Sequence, residues 1–566
     1  MQADVQQPAS IRDRLVSLRQ SDVAANALSL AALAVWCTAI FYYLLARFPY
    51  DGLYGQDSYA YYYQARSLLK DMTGQAPQPW QLFSASQLYH WPIGYHLHLI
   101  LGQIITGSYV GGRAMTVCMA VGAALLLYLI VGELWPTGSP RARIVAGLVA
   151  GGALPLVATY TRMGLSLMAD VPAVFWGLLG IYCCLRAWPV LALRHSVLWA
   201  VAGGVALGIA VLIRYGAIFF AVPVGVYWLL RLLRNRSDGM SRGEPAPWWA
   251  ALGFVVALLP QVAYLLAYKS GGSSGVLGSA GILSDYSSWF DGWTPANLLS
   301  TTVTGPDGTS TFSHPMIVFY LIQPLFDSDA GFLSVFYLPA LVVGAIVLVR
   351  ERALPVIGLL LSWWLLPVLF FAGTPYQAHR FALTYIPALL VVMGIGTAAA
   401  LELGIQAVRD GAGATCKRVL SAALALAVVV GLAAGVYQGQ ASVRSWMAVH
   451  ESYQADEQKV AALTRQAAGS YSDAAPPHVV AFGVTAALYH YTQWPTIELF
   501  DHGEGDLQQF LATPGPRLLV LPVAAMSGQW ANTPLAARWQ WLQQAYVLAA
   551  DGTAGMYTVY TVENRP

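Results

Sequence analysis

The chain has 566 residues, 57% of them hydrophobic and only 10% charged, where soluble domains carry about 25% charged residues. A deficit of that size over most of the length describes an integral membrane protein. A net charge of +2, with no basic cluster beside a reading motif, excludes nucleic-acid recognition.

Residues 1–23 are polar and hold Arg12, Arg14 and Arg19; the apolar run Ala24–Ala46 follows. About 20 apolar residues span a bilayer. The run is too long for a secretory signal core and has no obvious small-x-small exit, so it is expected to be an uncleaved anchor. Further spans are expected near 112–134, 144–161, 171–188, 197–213, 215–232, 248–268, 331–349, 354–372, 381–401 and 419–437, about eleven helices together. With the N-terminus inside, more than half of the Lys and Arg fall on the cytoplasmic side, as the positive-inside rule requires. The five cysteines, Cys37, Cys118, Cys183, Cys184 and Cys416, lie in apolar segments or on that side, against a disulfide framework or a thiolate metal site.

Three sizeable pieces then lie outside: residues 47–111, 269–330 and everything after Gln438. The first opens with YDGLYGQDSYAYYYQARSLLK, read as a surface helix starting at Asp57. A short apolar piece, Ile93–Thr106, is expected in the interface rather than across it. In the second, LSDYSSWFDGW, with Asp285, Trp289, Asp291 and Trp293, reads as a segment lying on the membrane. The third, 441–566, alternates short apolar runs (HVVAFG, RLLVLP, MYTVYTV) with amphipathic stretches such as Leu535–Gln544. That alternation predicts a small, soluble, external α/β domain, leaving 24–440 as the transmembrane domain.

Asp57 carries two readings. An Asp at a helix start is an ordinary N-cap; a carboxylate on a polar, tyrosine-rich external segment is also a candidate general base. Tyr54, Tyr59, Tyr61, Tyr62 and Tyr63 are rings able to stack on sugars, or an aromatic belt at the headgroup level. Asp170, two residues before Pro172 in SLMADVPAVFW, is again either a cap or a second carboxylate at the same membrane face, able to share a substrate or a divalent cation. His90, Trp91 and Pro92 mark the return of the first loop; His90, His96 and His98 are candidates for metal or phosphate, without zinc-site spacing. Arg214 and the pair His379–Arg380 sit at external helix ends. Snorkelling explains such cations, and so does binding a lipid-linked phosphate; Arg113 and Arg162 are weaker candidates for that task.

GQDSYAYYYQARSLL, HWPIGYHL, LSLMADVPAVFW and AHRFALTYIPALL occur in an order and spacing that resemble the GT-C superfamily of membrane glycosyltransferases. The likeness is to the protein-O-mannosyltransferase branch, with the aminoarabinose transferases and RgtA/B/C/D-like enzymes, over residues 24–400. It implies a mostly α, polytopic GT-C fold with a small external C-terminal α/β domain. It also implies a bacterial inner-membrane enzyme that moves a sugar from a polyprenyl-phosphate donor to an acceptor hydroxyl on a glycan, lipid or protein. In its terms Asp57 is the base on the acceptor and Asp170 the second acid. His90, beside Trp91 and Pro92, lies near the donor phosphate, with Arg214, His379 and Arg380 as further phosphate ligands. Tyr54, Tyr59, Tyr62 and Trp91 are the substrate contacts. A lone Asp57 between Gln56 and Ser58, where many members have an acidic pair, leaves the use of a divalent metal open. No WWDYG motif is present, which disfavours Asn glycosylation. The rival readings are a transporter or flippase, against which no repeated halves or mid-membrane charges are seen, and a non-catalytic envelope assembly protein. Deleting 441–566 is expected to separate an enzyme, which keeps some transfer, from a scaffold driven by its tail.

Overall fold

The computed structural model describes residues 11–48, 52–53, 55–74, 92–109, 111–187, 193–237, 246–270, 292–305, 308–322, 335–409, 415–500, 502–531 and 533–565. Helix α1 (Ile11–Arg47) enters the bundle, and α2 (Gly55–Met72) and α3 (Gly94–Thr106) lie in the loop that follows. Then come α4 (Gly111–Leu134), α5 (Pro140–Ala153), α6 (Ala158–Leu165), α7 (Asp170–Ala187), α8 (Leu193–Ile213), α9 (Ile218–Ser237) and α10 (Ala246–Ser270). A two-stranded ribbon, β1 (Thr302–Gly305) and β2 (Gly308–Thr311), precedes the short α11 (Met316–Leu321). The bundle closes with α12 (Leu338–Arg350), α13 (Leu354–Gly373), α14 (Ile386–Arg409) and the 54-residue α15 (Thr415–Ala468).

Among the described residues nine helices are long and apolar enough to cross a membrane, ten if α5 and α6 count as one broken span. Two of the expected spans differ from a single long helix among the described residues. The 144–161 run bends by 64° between α5 and α6, because Pro155 leads into a short 3-10 turn and Val157 is extended (ψ 106°), which interrupts the i→i−4 ladder. The 331–349 run yields only the shorter apolar helix Val335–Arg350. Helices approach closely where glycines face neighbouring backbone. A side chain at Gly204 or Gly208 of α8 would collide with the α10 backbone at Ala250 or Phe254, the small-residue packing that draws membrane helices together.

After α15 the chain folds as β3 (His478–Ala481), α16 (Thr485–Thr492), β4 (Thr496–Glu498), α17 (Glu504–Leu511), β5 (Arg517–Leu521), α18 (Val523–Ser527), α19 (Pro534–Ala545), β6 (Tyr546–Ala554) and β7 (Tyr557–Asn564). The sheet order is β4-β3-β5-β7-β6, with β4, β3 and β5 parallel and β7 and β6 antiparallel. The parallel strands are almost wholly buried, as strands covered on both faces are. The runs HVVA, RLLVL and YTVYTV became β3, β5 and β7. The expected boundary at 440/441 falls inside α15, which runs from the apolar bundle into the C-terminal region without a break. Its first half supplies the span and its second half packs on α16 and on β5, β6 and β7.

Candidate active site

One end of the bundle gathers the sequence-predicted charges. The loop before α2 is stitched to the loop before α7: the Leu167 N–H donates to the Gly52 carbonyl at 2.9 Å. Gly52 has φ +94°, and a Cβ there would come within 3.1 Å of Arg113 Cδ, so glycine is needed on both counts. This stitch brings the start of α2, with Asp57, beside the start of α7, with Asp170. Neither aspartate is a cap. Asp57 is the third residue of α2 and Asp170 the first of α7, and each carboxylate turns to an arginine. Arg380 Nη1 lies 2.5 Å from Asp57 Oδ2 and donates to it; Arg214 Nη1 lies 2.8 Å from Asp170 Oδ1. The second pair is close but off-axis, since neither Asp170 oxygen has a hydrogen bond of acceptable geometry. Asp170 is only 2% exposed, so charge alone compensates its burial.

The two pairs share one neighbourhood. Both guanidiniums lie over the ring of Phe381, at 5.5 Å for Arg214 and 5.9 Å for Arg380, and that ring stacks on Phe371 at 4.7 Å. Burial opposes the Arg380 charge, but Asp57 and then Asp170 outweigh it and hold the guanidinium firmly protonated. The buried Tyr61 phenol is pushed up by burial and feels Arg214, Asp57, Asp170 and Arg380 together. At 100° per residue Tyr61 falls on the Asp57 face of α2, and it rests edge-on against Tyr95 of α3.

The Arg380 segment is a 3-10 turn, His379–Thr384, held from several sides. Tyr320 of α11 accepts from the Ala378 N–H (3.0 Å) and donates to the Tyr376 carbonyl (2.9 Å). The Trp363 indole donates to the Thr384 carbonyl at 2.8 Å. Gln261 of α10 accepts from the Ile93 N–H (2.9 Å) and donates to Tyr215, the neighbour of Arg214 (3.1 Å). The returning first loop and the Arg214 corner are thereby joined. Such bracing holds a charged site in place before a ligand arrives.

Other expected contacts fall elsewhere. Tyr54, His90 and Trp91, with Asp285, Trp289 and Asp291, lie outside the described residues. Tyr59 is fully buried with its hydroxyl on Glu457, so it has no open face for a sugar; its ring is spent on the contact with the C-terminal region. Tyr62 is half-buried among Tyr63, Tyr109 and His490. His379 packs on Phe319 and Trp446, beside the ion pairs. Arg162 lies over the Trp446 ring at 4.3 Å. His96 and His98 are structural: His96 Nε2 meets Gln64 Oε1 at 2.9 Å and His98 Nε2 the Gly112 carbonyl at 3.0 Å. Burial holds His96 down at about 3 and also lowers His98. No group of three or more His, Cys, Asp or Glu is placed to hold a metal ion among the described residues.

Residues 27–271 match the family described as dolichyl-phosphate-mannose-protein mannosyltransferase. No curated protein matches the chain. The solved structure of ArnT from Cupriavidus metallidurans bound to undecaprenyl phosphate superposes with a TM-score of 0.55 at 15% identity, over 94% of this chain and 97% of that one. The fold is that of the GT-C membrane glycosyltransferases. AglB from Archaeoglobus fulgidus, in complex with an inhibitory peptide and a dolichol-phosphate, superposes with a TM-score of 0.53 at 13% identity, over 95% of this chain and 74% of that one. The four residues of the two ion pairs are among those the sequence singled out, whereas Glu457 and Glu498, which meet the first turn of α2, are not. Glu457 and Glu498 sit in stretches without a recognisable motif. The signal available was a carboxylate on the continuation of an apolar helix, meaningful only once α15 is known to be unbroken.

Proposed function

We propose that the chain is an inverting glycosyltransferase. It moves a sugar from a polyprenyl-phosphate donor to an acceptor hydroxyl on the extracytoplasmic face of a bacterial inner membrane, with the N-terminus inside and the C-terminal region outside. The observation that carries the reading is the convergence of Asp57–Arg380 and Asp170–Arg214 around Phe381 and Tyr61.

The resting pairs suggest an order of events. In the resting pair Arg380 donates to Asp57 Oδ2, which occupies the oxygen that an acceptor hydroxyl would need. The donor phosphate competes for Arg380 and Arg214, since two-pronged arginine contacts suit phosphate oxygens. As Arg380 turns to the phosphate, Asp57 is released to accept the acceptor's hydroxyl proton. The acceptor oxygen forms the new bond to the anomeric carbon while the bond from that carbon to the phosphate oxygen breaks. Its electron pair leaves on the lipid phosphate, whose developing charge the two arginines balance. One displacement inverts the anomeric centre. Asp170, buried against Arg214, keeps that guanidinium aimed at the site.

The test is to supply purified protein with a panel of polyprenyl-phosphate sugars and acceptor extracts and to measure free polyprenyl phosphate. Turnover with one donor identifies the class. Asp57→Asn is expected to lower it at least about a thousandfold, toward the upper range for losing a positioned base, with donor binding retained. Near-normal turnover in that variant removes Asp57 from the role.

A further inference from the structure

The N-terminus of α2 is held from above by the C-terminal half of α15 and by the sheet region. Glu457, forty-two residues into α15, presents both carboxylate oxygens to α2. Oε1 accepts from the Gly55 N–H at 3.3 Å and Oε2 accepts from the Tyr59 hydroxyl at 2.9 Å. Those two residues bracket Asp57. Between them, Gln56 donates to Glu498 Oε2 at 2.6 Å, and the Thr485 hydroxyl donates to the same oxygen at 2.7 Å. Glu498 ends β4 and Thr485 opens α16, so α2 docks at the carboxyl edge of the parallel strands. That edge is where open α/β sheets place ligands; here it receives a helix of the same chain. Farther along α2, the Tyr63 hydroxyl meets His490 Nδ1 at 2.9 Å.

The same helix also supports the partner of Asp57. Trp446 of α15 packs on His379, the neighbour of Arg380, with ring centroids 6.1 Å apart. Trp446 and Glu457 are three turns apart, about 16 Å at 1.5 Å per residue, and lie on one face. A single rigid rod thus contacts the segments on both sides of the Asp57–Arg380 pair.

We infer that Glu457 is a positioning residue: it fixes the first turn of α2, and with it the Asp57 carboxylate, relative to the Arg380 segment. Misplacing a catalytic group by about 1 Å costs on the order of a hundredfold in rate. The inference rests on Asp57 being the base, and its test separates the two ideas. Hydrogen exchange of the peptide covering Gly55–Tyr59 reads the clamp without any reference to chemistry; donor turnover reads its consequence. In Glu457→Ala, exchange over that turn is expected to rise. Turnover per folded molecule is expected to fall about ten- to a hundredfold in kcat with donor KM little changed, the mark of lost alignment rather than lost binding. Tyr59→Phe is expected to give part of the same loss, and the double variant little more than Glu457→Ala alone, because the two share one contact. Lys459→Ala, on the exposed side of α15, serves as the control. Unchanged exchange in Glu457→Ala overturns the clamp whatever Asp57 does. Raised exchange with unchanged kcat, in a protein whose Asp57→Asn form is inactive, overturns the positioning role. If Asp57→Asn stays active, the catalytic assignment fails and the positioning role fails with it, while exchange still decides the clamp.

Discussion

At the scale of single residues, the two ion pairs differ in kind. Asp57 and Arg380 are both partly open, with side chains 34% and 29% exposed, so their attraction is screened and the pair can part for a ligand. Asp170 is buried without a hydrogen bond, and its desolvation is offset by charge, that of Arg214 at 2.8 Å and that of Arg380 beyond it. Removing one member of a buried pair costs about 3–5 kcal/mol, because it strands the other. Arg214→Gln is therefore expected to lower thermal stability in detergent strongly, and Asp170→Asn in the same chain to restore much of it, without restoring turnover. Equal stability of Arg214→Gln and the parent protein would show that Asp170 is solvated. Both aspartates looked like helix caps in the sequence, and a cap explanation needs only local backbone. The residues that captured them, Arg380 and Arg214, are 323 and 44 positions away, and no local pattern announces such pairing.

At the scale of elements, α2 is a helix occupied on two faces, since Asp57, Tyr61 and Gln64 share one and Tyr59 and Tyr63 share the other. Asp57 and Tyr61 meet the arginines, Tyr59 and Tyr63 meet the C-terminal region, and Gln64 meets α3 through His96. His96 makes the α2–α3 contact sensitive to acid. Its ordinary value of 6.5 falls to about 3 in the folded chain, through burial. Below pH 6.5 the unfolded chain takes up a proton that the folded chain refuses until about pH 3. The stability contributed by neutral His96 is thus complete above 6.5 and lost progressively as pH falls through that window. The slope is up to about 1.4 kcal/mol per pH unit. Replacing His96 by Gln is expected to flatten the dependence of the melting temperature on pH between 7 and 4. An unaltered slope would place the acid sensitivity elsewhere. The helical period of SYAYYYQARSLL announced α2 itself, yet a tyrosine-rich surface helix gives no indication of which ring meets sugar and which meets protein. Nothing in the sequence marks Tyr59 for the burial that its contacts with Glu457 and Tyr491 impose.

At the scale of the whole molecule, α15 joins what composition had divided. The polarity change near 441 falls within α15, which passes from the apolar bundle to the C-terminal region as one helix. Deleting 441–566 would cut α15 ahead of Trp446 and Glu457, so an enzyme would lose turnover as completely as a scaffold would lose assembly. That deletion no longer separates the two readings. Truncation after Gly469 is expected to do so. It keeps both α15 contacts and removes Glu498, His490 and Tyr491, so an enzyme retains a measurable fraction of turnover while a protein working through its sheet region loses its function outright. Loss of all turnover in the shorter truncation, with the bundle still folded, would show that the Glu498 and His490 contacts matter as much as Glu457.

Hydropathy by itself determined the membrane class, most of the spans and three strands of the C-terminal sheet, β3, β5 and β7, because each depends on residues near one another in the chain. The ordered motifs determined which charged residues to watch, because a shared fold keeps them in register. Only the tertiary structure decided how those charges pair, which tyrosines are enclosed, and that one long helix ties the C-terminal region to the first turn of α2. Those outcomes depend on contacts between residues hundreds of positions apart, and burial and pairing are properties of the packed chain rather than of any segment in it.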